Sequence, residues 1–150
     1  MTDLDEKSRE ILQVLHRNGR ISNTELAARV HLSPSATLRR VQDLERRGAI
    51  TGYRAQLGRE AIGLGFLAYL GVRLGQHTKA AQEQFEAAMS RAPEVVECHN
   101  TTGEIEYLLR VECADLKAYK TFHTEHLGAI PQVNAITSYV VMGSPKDERA

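Results

Sequence analysis

Two helix starts set eleven residues apart constrain this chain more than any other feature of its sequence. Ser22-Asn23-Thr24-Glu25 is a capping box, in which Ser22 can take an amide of the first turn while Glu25 reaches back. Ser33-Pro34 is a second start, with Ser33 as N-cap and Pro34 where a missing N–H costs nothing. The first of these helices carries an apolar stripe of Leu26, Ala27 and Val30, and only His31-Leu32 separates it from the second. Two short helices joined by so tight a turn form a helix-turn-helix. The second is predicted to bury Leu38, Val41 and Leu44 and to close at Gly48. Upstream, Leu4, Ile11, Leu12 and Leu15 recur at helical spacing. Asp3 and Asp5 sit near the positive end of that helix, and Asn18-Gly19 stops it. Downstream, Ala49 to Leu57 reads as a short strand pair around Thr51-Gly52.

Charge supports a nucleic-acid partner only when its distribution is examined. The 150 residues hold 19 Lys and Arg against 19 Asp and Glu. Within 17–59, however, nine arginines face three acids. Arginine matches phosphate and guanine edges better than lysine does. On the helix that begins at Pro34 the expected exposed positions are Ser35, Ala36, Thr37, Arg39, Arg40 and Gln42. Small and hydroxylated residues at its leading end allow close approach to a groove. The positions expected to meet double-stranded DNA are therefore Ser33, Ser35, Ala36, Thr37, Arg39, Arg40, Arg46 and Arg47.

Residues 61–150 read as a second unit, opening at Ile62-Gly63-Leu64-Gly65. Strands are expected over Phe66–Leu74, Val95–Thr101, Ile105–Cys113 and Val133–Met142. One helix is capped by Thr78 and carries Ala81, Phe85, Ala88 and Met89; another is capped by Asp115 and carries Leu116, Tyr119, His123 and Leu127. The order βαββαβ is the ferredoxin-like arrangement, with both helices on one side of the sheet. Both faces of the first and last strands are apolar, which predicts a sheet-mediated homo-oligomer. The turn Thr101-Thr102-Gly103-Glu104, with Glu106 beside it, reads from its own residues as an ordinary hairpin turn carrying two solvated acids.

Several motifs together resemble one family. These are Asn18-Gly19-Arg20-Ile21-Ser22-Asn23, Leu32-Ser33-Pro34-Ser35 and Arg40 through Ile50 in the first half. In the second half they are Glu97-Cys98-His99, Thr102 through Leu109 and Ser138-Tyr139-Val140-Val141-Met142. They resemble, collinearly over about 3–142, the leucine- and asparagine-responsive (Lrp/AsnC, feast/famine) regulators of bacteria and archaea. The resemblance implies an α+β chain with a winged helix-turn-helix DNA-binding domain at 1–60. A ferredoxin-like βαββαβ (RAM) domain for effector binding and oligomerisation would follow at 61–150. It further implies a transcriptional regulator that responds to an amino acid, with dimers assembling to tetramers or octamers. The effector site would lie at Thr101, Thr102, Gly103, Glu104 and Glu106, where turn amides and a carboxylate can meet an amino acid's two charged ends, and Ser138, Tyr139 and Val140 would line it from the same or a neighbouring subunit. Three positions depart from the pattern: His31 stands where glycine or asparagine is common, and Ile105 and Glu106 replace an aromatic and an aspartate. His31 is expected at positive φ.

Other readings are set aside. Gly63-x-Gly65-x-x-Ala68 precedes a strand and so lacks the strand-to-helix context of a dinucleotide fingerprint. Cys98 and Cys113 are expected as small buried residues and His123 as packed, so no metal site is expected. No nucleophile elbow or oxyanion loop appears, and the expectation is no enzyme and no cofactor beyond the effector. No apolar run approaches the ~20 residues of a membrane span, and the charged start lacks a signal-peptide core. A cytoplasmic, nucleoid-associated protein is expected. An architectural DNA-binding protein without effector response is the alternative, and a small-molecule module or enzyme with a vestigial helix-turn-helix is a more distant one.

Overall fold

A computed structural model of the chain describes residues 4–147; the expected contribution of Asp3 lies outside the described residues. The chain divides into two compact units between Ala55 and Gln56.

The first unit is three helices: α1 (Glu6–Arg17), α2 (Asn23–Val30) and α3 (Pro34–Arg46). Each begins on a side-chain cap. Asp5 accepts from the Ser8 amide, Ser22 from Glu25 within a complete capping box, and Ser33 from Ala36. Ile11, Leu26, Val30 and Leu44 are buried together, with Leu4, Leu12, Leu15 and Val41 packed around them. His31 caps α2 in the left-handed region at φ 55, as its position predicts, and its amide reaches Ala27 and Ala28 oxygens.

Two expectations for this unit fail. Thr37 is buried, its hydroxyl donating to the Ser33 carbonyl at 3.0 Å, while Leu38 is 48% exposed. The core line of α3 runs through Thr37, Val41 and Leu44, spaced by four and three residues, and Leu38 lies a further ~100° round the helix. The strand pair at 49–57 does not form; that segment carries no ladder. It has too little alternating apolar surface to stabilise a lone hairpin. Tyr53 is instead tied back to Glu45 at 3.0 Å.

The second unit is a four-stranded antiparallel sheet: β1 (Phe66–Leu74), β2 (Val95–Asn100), β3 (Tyr107–Cys113) and β4 (Val133–Val140), in the order β2-β3-β1-β4. Helices α4 (Lys79–Met89) and α5 (Leu116–Thr121) are the crossovers, capped by Thr78 and Asp115 as expected. Ala68, Leu70, Val72 and Leu74 of β1 meet Phe85, Met89, Tyr119, Phe122 and Leu127 in one core. Both helices therefore cover the same face. Residues 56–60 belong with this unit; Arg59 pairs with Glu112 at 3.7 Å.

The α5 stripe also differs from expectation. Leu116 is 65% exposed, and Phe122 is buried in its place. After Thr121 the helix widens into a π turn, Phe122–Leu127. The five-residue spacing of that turn aims both Phe122 and Leu127 inward. Gly128 closes the turn by donating to the His123 carbonyl at 2.8 Å, and a Cβ there would lie 2.9 Å from that oxygen.

Candidate DNA interface and ligand site

The leading end of α3 is built for close approach. Ser33, Pro34 and Ser35 are exposed and Ala36 half-buried, so no long side chain stands in front of the helix N-terminus. Arg39 is exposed, and no described carboxylate pairs with it. The other expected arginines are engaged. Arg46 and Arg47 both pair with Asp43, the latter at 3.2 Å. Arg40 donates to Asp5 at 2.6 Å and to the Ser8 hydroxyl at 3.3 Å. Thr37, counted among the contact residues from sequence, faces the core and is removed from that surface. Of the expected positions, Ser33, Ser35, Ala36 and Arg39 thus remain on that surface without a described carboxylate partner, and Arg46 lies on the same line but is held by Asp43.

In the second unit the turn after β2 is held at both ends. The Thr101 amide donates to the Glu106 carbonyl at 2.8 Å, and the Thr101 hydroxyl to the Ile105 carbonyl at 2.8 Å. The Glu106 amide donates to Val72 at 3.1 Å, which docks the turn on β1. β3 therefore begins at Tyr107, two residues later than the sequence suggests. The two acids diverge. The Glu104 side chain is 89% exposed and pairs with Arg73 at 3.2 Å. That of Glu106 is 16% exposed; it accepts from the Leu74 amide at 2.8 Å and lies 3.2 Å from His77 Nδ1. Ile105 fills the space over Gly71, where a Cβ would come within 3.0 Å of its Cδ1.

Arg73 and His77 are the site residues that the sequence reading missed. A charged residue ending an apolar strand was a usable signal for Arg73. Nothing local marks His77, which meets Glu106 only through the fold.

The β4 residues do not join this turn within one chain. Val72 and Leu74, beside the turn, pair with Ile136 and Val133; Ser138, Tyr139 and Val140 pair with Leu70, Tyr69 and Ala68 farther along β1. That offset is about 7–14 Å along the strand. Alternation also splits the set. Ser138 faces the helices, where it bonds the Tyr119 hydroxyl at 2.5 Å beside a groove of about 680 Å³ lined by Leu116, Lys117 and His123. Tyr139 faces the other side, paired across to Tyr69.

Cys98 is exposed rather than buried, whereas Cys113 is buried as expected. Desolvation and nearby Glu86 raise Cys98 to about 11, so it carries little thiolate at neutral pH. Among the described residues no group of three His, Cys, Asp or Glu is placed to hold a metal. No described helix is long and apolar enough to cross a membrane.

Comparison with known proteins fits both halves. A winged helix-turn-helix DNA-binding model matches residues 4–51, and the Lrp/AsnC ligand binding domain model matches 67–150. The chain belongs to the Lrp/AsnC family. The leucine-responsive regulatory protein of Salmonella typhimurium is 41% identical over 96% of this chain and 88% of its own length. The proline dehydrogenase transcriptional activator of Rhodobacter capsulatus is 44% identical over 95% and 93%. Among solved structures, a transcriptional regulator of Neisseria meningitidis in complex with L-Met superposes with a TM-score of 0.93 at 39% identity, covering 97% of this chain and 94% of that one. As a member of the Lrp/AsnC family the chain is a DNA-binding transcriptional regulator. Its winged helix-turn-helix comprises α1–α3, and its ligand-binding domain is the four-stranded sheet with α4 and α5.

Proposed function

We propose that this regulator binds discrete operators through α3 and that an amino acid bound to the second unit modulates its assembly or DNA binding. The observation that carries this reading is a fold shared along almost the whole chain with a regulator crystallised with L-Met. Ser33, Ser35, Ala36 and Arg39 would meet the groove, and Arg46 would reach a phosphate only by giving up Asp43. Glu106 would receive the ligand ammonium, exchanging its bond to His77 for it, and the amides of Thr102 and Gly103 would hold the carboxylate. Ser138, Tyr139 and Val140 lie too far along the sheet to serve the same pocket of their own chain, which supports completion of the site by a second copy. The regulator would then be a homodimer that assembles to tetramers or octamers, working in the cytoplasm without catalysis or a further cofactor. The DNA-binding domain would span 1–60 and the ligand-binding domain 61–150, with residues 56–60 joining them and packing with the second.

A thermal-shift screen of the twenty amino acids on the full chain, followed by footprinting with the best ligand, tests this reading. A ligand that binds only the folded state raises the melting temperature. Stabilisation by at least one amino acid and discrete footprints are expected. No stabilisation together with uniform DNA coverage would instead establish the architectural role.

A further inference from the structure

The Asp5–Arg40 pair ties α3 to the start of α1 and is a contact that the DNA-binding role does not require. At ~100° per residue the line opposite Thr37, Val41 and Leu44 runs through Ser35, Arg39, Gln42 and Arg46. Arg40 lies on the flank, about 60–70° from the core line, and leans toward the start of α1. The two oxygens of Asp5 divide their work: Oδ1 caps α1 through the Ser8 amide at 2.8 Å, and Oδ2 takes Arg40 Nη1 at 2.6 Å. Ser8, itself buried, supports the guanidinium at 3.3 Å. These bonds from Ser8 and Arg40 hold the Asp5 carboxyl well below the usual carboxylate range. A carboxylate offers an arginine the same two-oxygen, single-charge partner that a phosphodiester does.

We propose that Asp5 is an internal stand-in for a DNA phosphate, which removes Arg40 from the cations that neutralise DNA and so lowers affinity for non-operator sequence. The inference rests on the reading that α3 faces DNA. Non-specific affinity grows with the number of phosphates neutralised, whereas a regulator must find few sites among a great excess of others. An arginine occupied by the fold still positions α3 against α1 but adds nothing to the indiscriminate term. Arg39, one residue away and with no described carboxylate beside it, keeps its charge for the groove.

The test is the salt dependence of binding of the full chain to a scrambled duplex, by fluorescence anisotropy from roughly 50 to 200 mM salt. Asn caps a helix as well as Asp does, so Asp5→Asn removes the charge and keeps α1, which a thermal melt verifies; Asp5→Ser is the second variant. With Asp5 neutralised, the slope of log K against log salt should steepen by about one, worth about threefold over this range. Arg40→Gln alone should leave the wild-type slope, and Asp5→Asn should have no effect in the Arg40→Gln background. The proposal is overturned if Asp5→Asn leaves the slope unchanged. It is equally overturned if Arg40→Gln alone flattens the slope by about one, or if Asp5→Asn steepens it whether or not Arg40 is present. Arg39→Ala is the separate control: if the slope survives its loss, the placement of α3 on DNA fails, whatever the Asp5 variants do.

Discussion

His31 shows how one residue can be read from sequence and then weighed in structure. Its left-handed backbone at φ 55 is required by the three-residue turn between α2 and α3. A non-glycine residue there stores strain of about 1–3 kcal/mol, of which glycine returns part to the unfolded chain as entropy. His31→Gly should therefore stabilise the protein by about 1 kcal/mol in urea unfolding, with no change in DNA affinity. Glu106 is tested in the opposite sense. Its carboxylate already holds the Leu74 amide, so Glu106→Gln keeps a hydrogen-bond acceptor while losing the charge. Amino-acid binding should weaken by about 1.5–3 kcal/mol in calorimetry, with melting nearly unchanged. Carboxyls also set the acid limit of the first unit. Asp5, Glu25 and Asp43 are all held below their ordinary values of 3.8 or 4.5, through bonds from Ser8 and Arg40, from Ser22, and from Arg47 and Arg46. A lowered carboxyl stabilises the fold above its unfolded pKa and loses that contribution as pH falls through the folded value. Stability should thus decline as pH drops below about 4, and Asp5→Asn should flatten that decline.

At the scale of elements, most of what sequence could foresee was local. Caps Ser22, Ser33, Thr78 and Asp115 start their helices where they were read, because a cap needs only residues within one turn. The failures are those in which distant packing decides. Thr37 and Leu38 exchange roles because the core line of α3 is set by α1 and α2, and Leu116 yields to Phe122 because a π turn shifts the stripe. The candidate DNA face was legible as small residues and arginines, but not the capture of Arg40 by a residue 35 positions away. The turn at 101–106 was legible as a hairpin, but not its docking on Gly71. Gly71→Ala would drive a Cβ into Ile105, and overpacking of this kind costs about 1–3 kcal/mol. On the sheet face away from the helices, Arg110 is only 7% exposed and bonds Glu112 at 2.9 Å and Asp147 at 3.3 Å. Arg110→Ala would take the buried cation from between these carboxylates, leaving Glu112 only its longer pair with Arg59, and should cost about 3 kcal/mol, read as a lowered denaturation midpoint.

For the whole molecule, the distribution of function between the units follows from what each can bury. Three short helices around Ile11, Leu26, Val30 and Leu44 make a small core, enough to present α3 but only one half-site's worth of contacts. The sheet unit has the larger core and leaves apolar side chains over: Tyr139 and Val140 on the edge strand are more than half exposed, as is Met142 beyond it. An edge strand with exposed apolar side chains and unpaired backbone groups is disposed to pair with another chain. The candidate ligand site gives a second reason for assembly, since Ser138 to Val140 can reach a Glu106 turn only from another copy. A fragment from about residue 56 should therefore fold and self-associate alone, giving a dimer or larger species by sedimentation at micromolar concentration. The complementary fragment should bind operator weakly, because it lacks the effective concentration that joins two half-sites. Charge at Tyr139 tests the sheet edge as the place where copies meet. Tyr139→Glu in the full chain should reduce both sedimentation coefficient and operator affinity; if it reduces operator affinity while assembly is intact, the sheet edge is not where the copies meet.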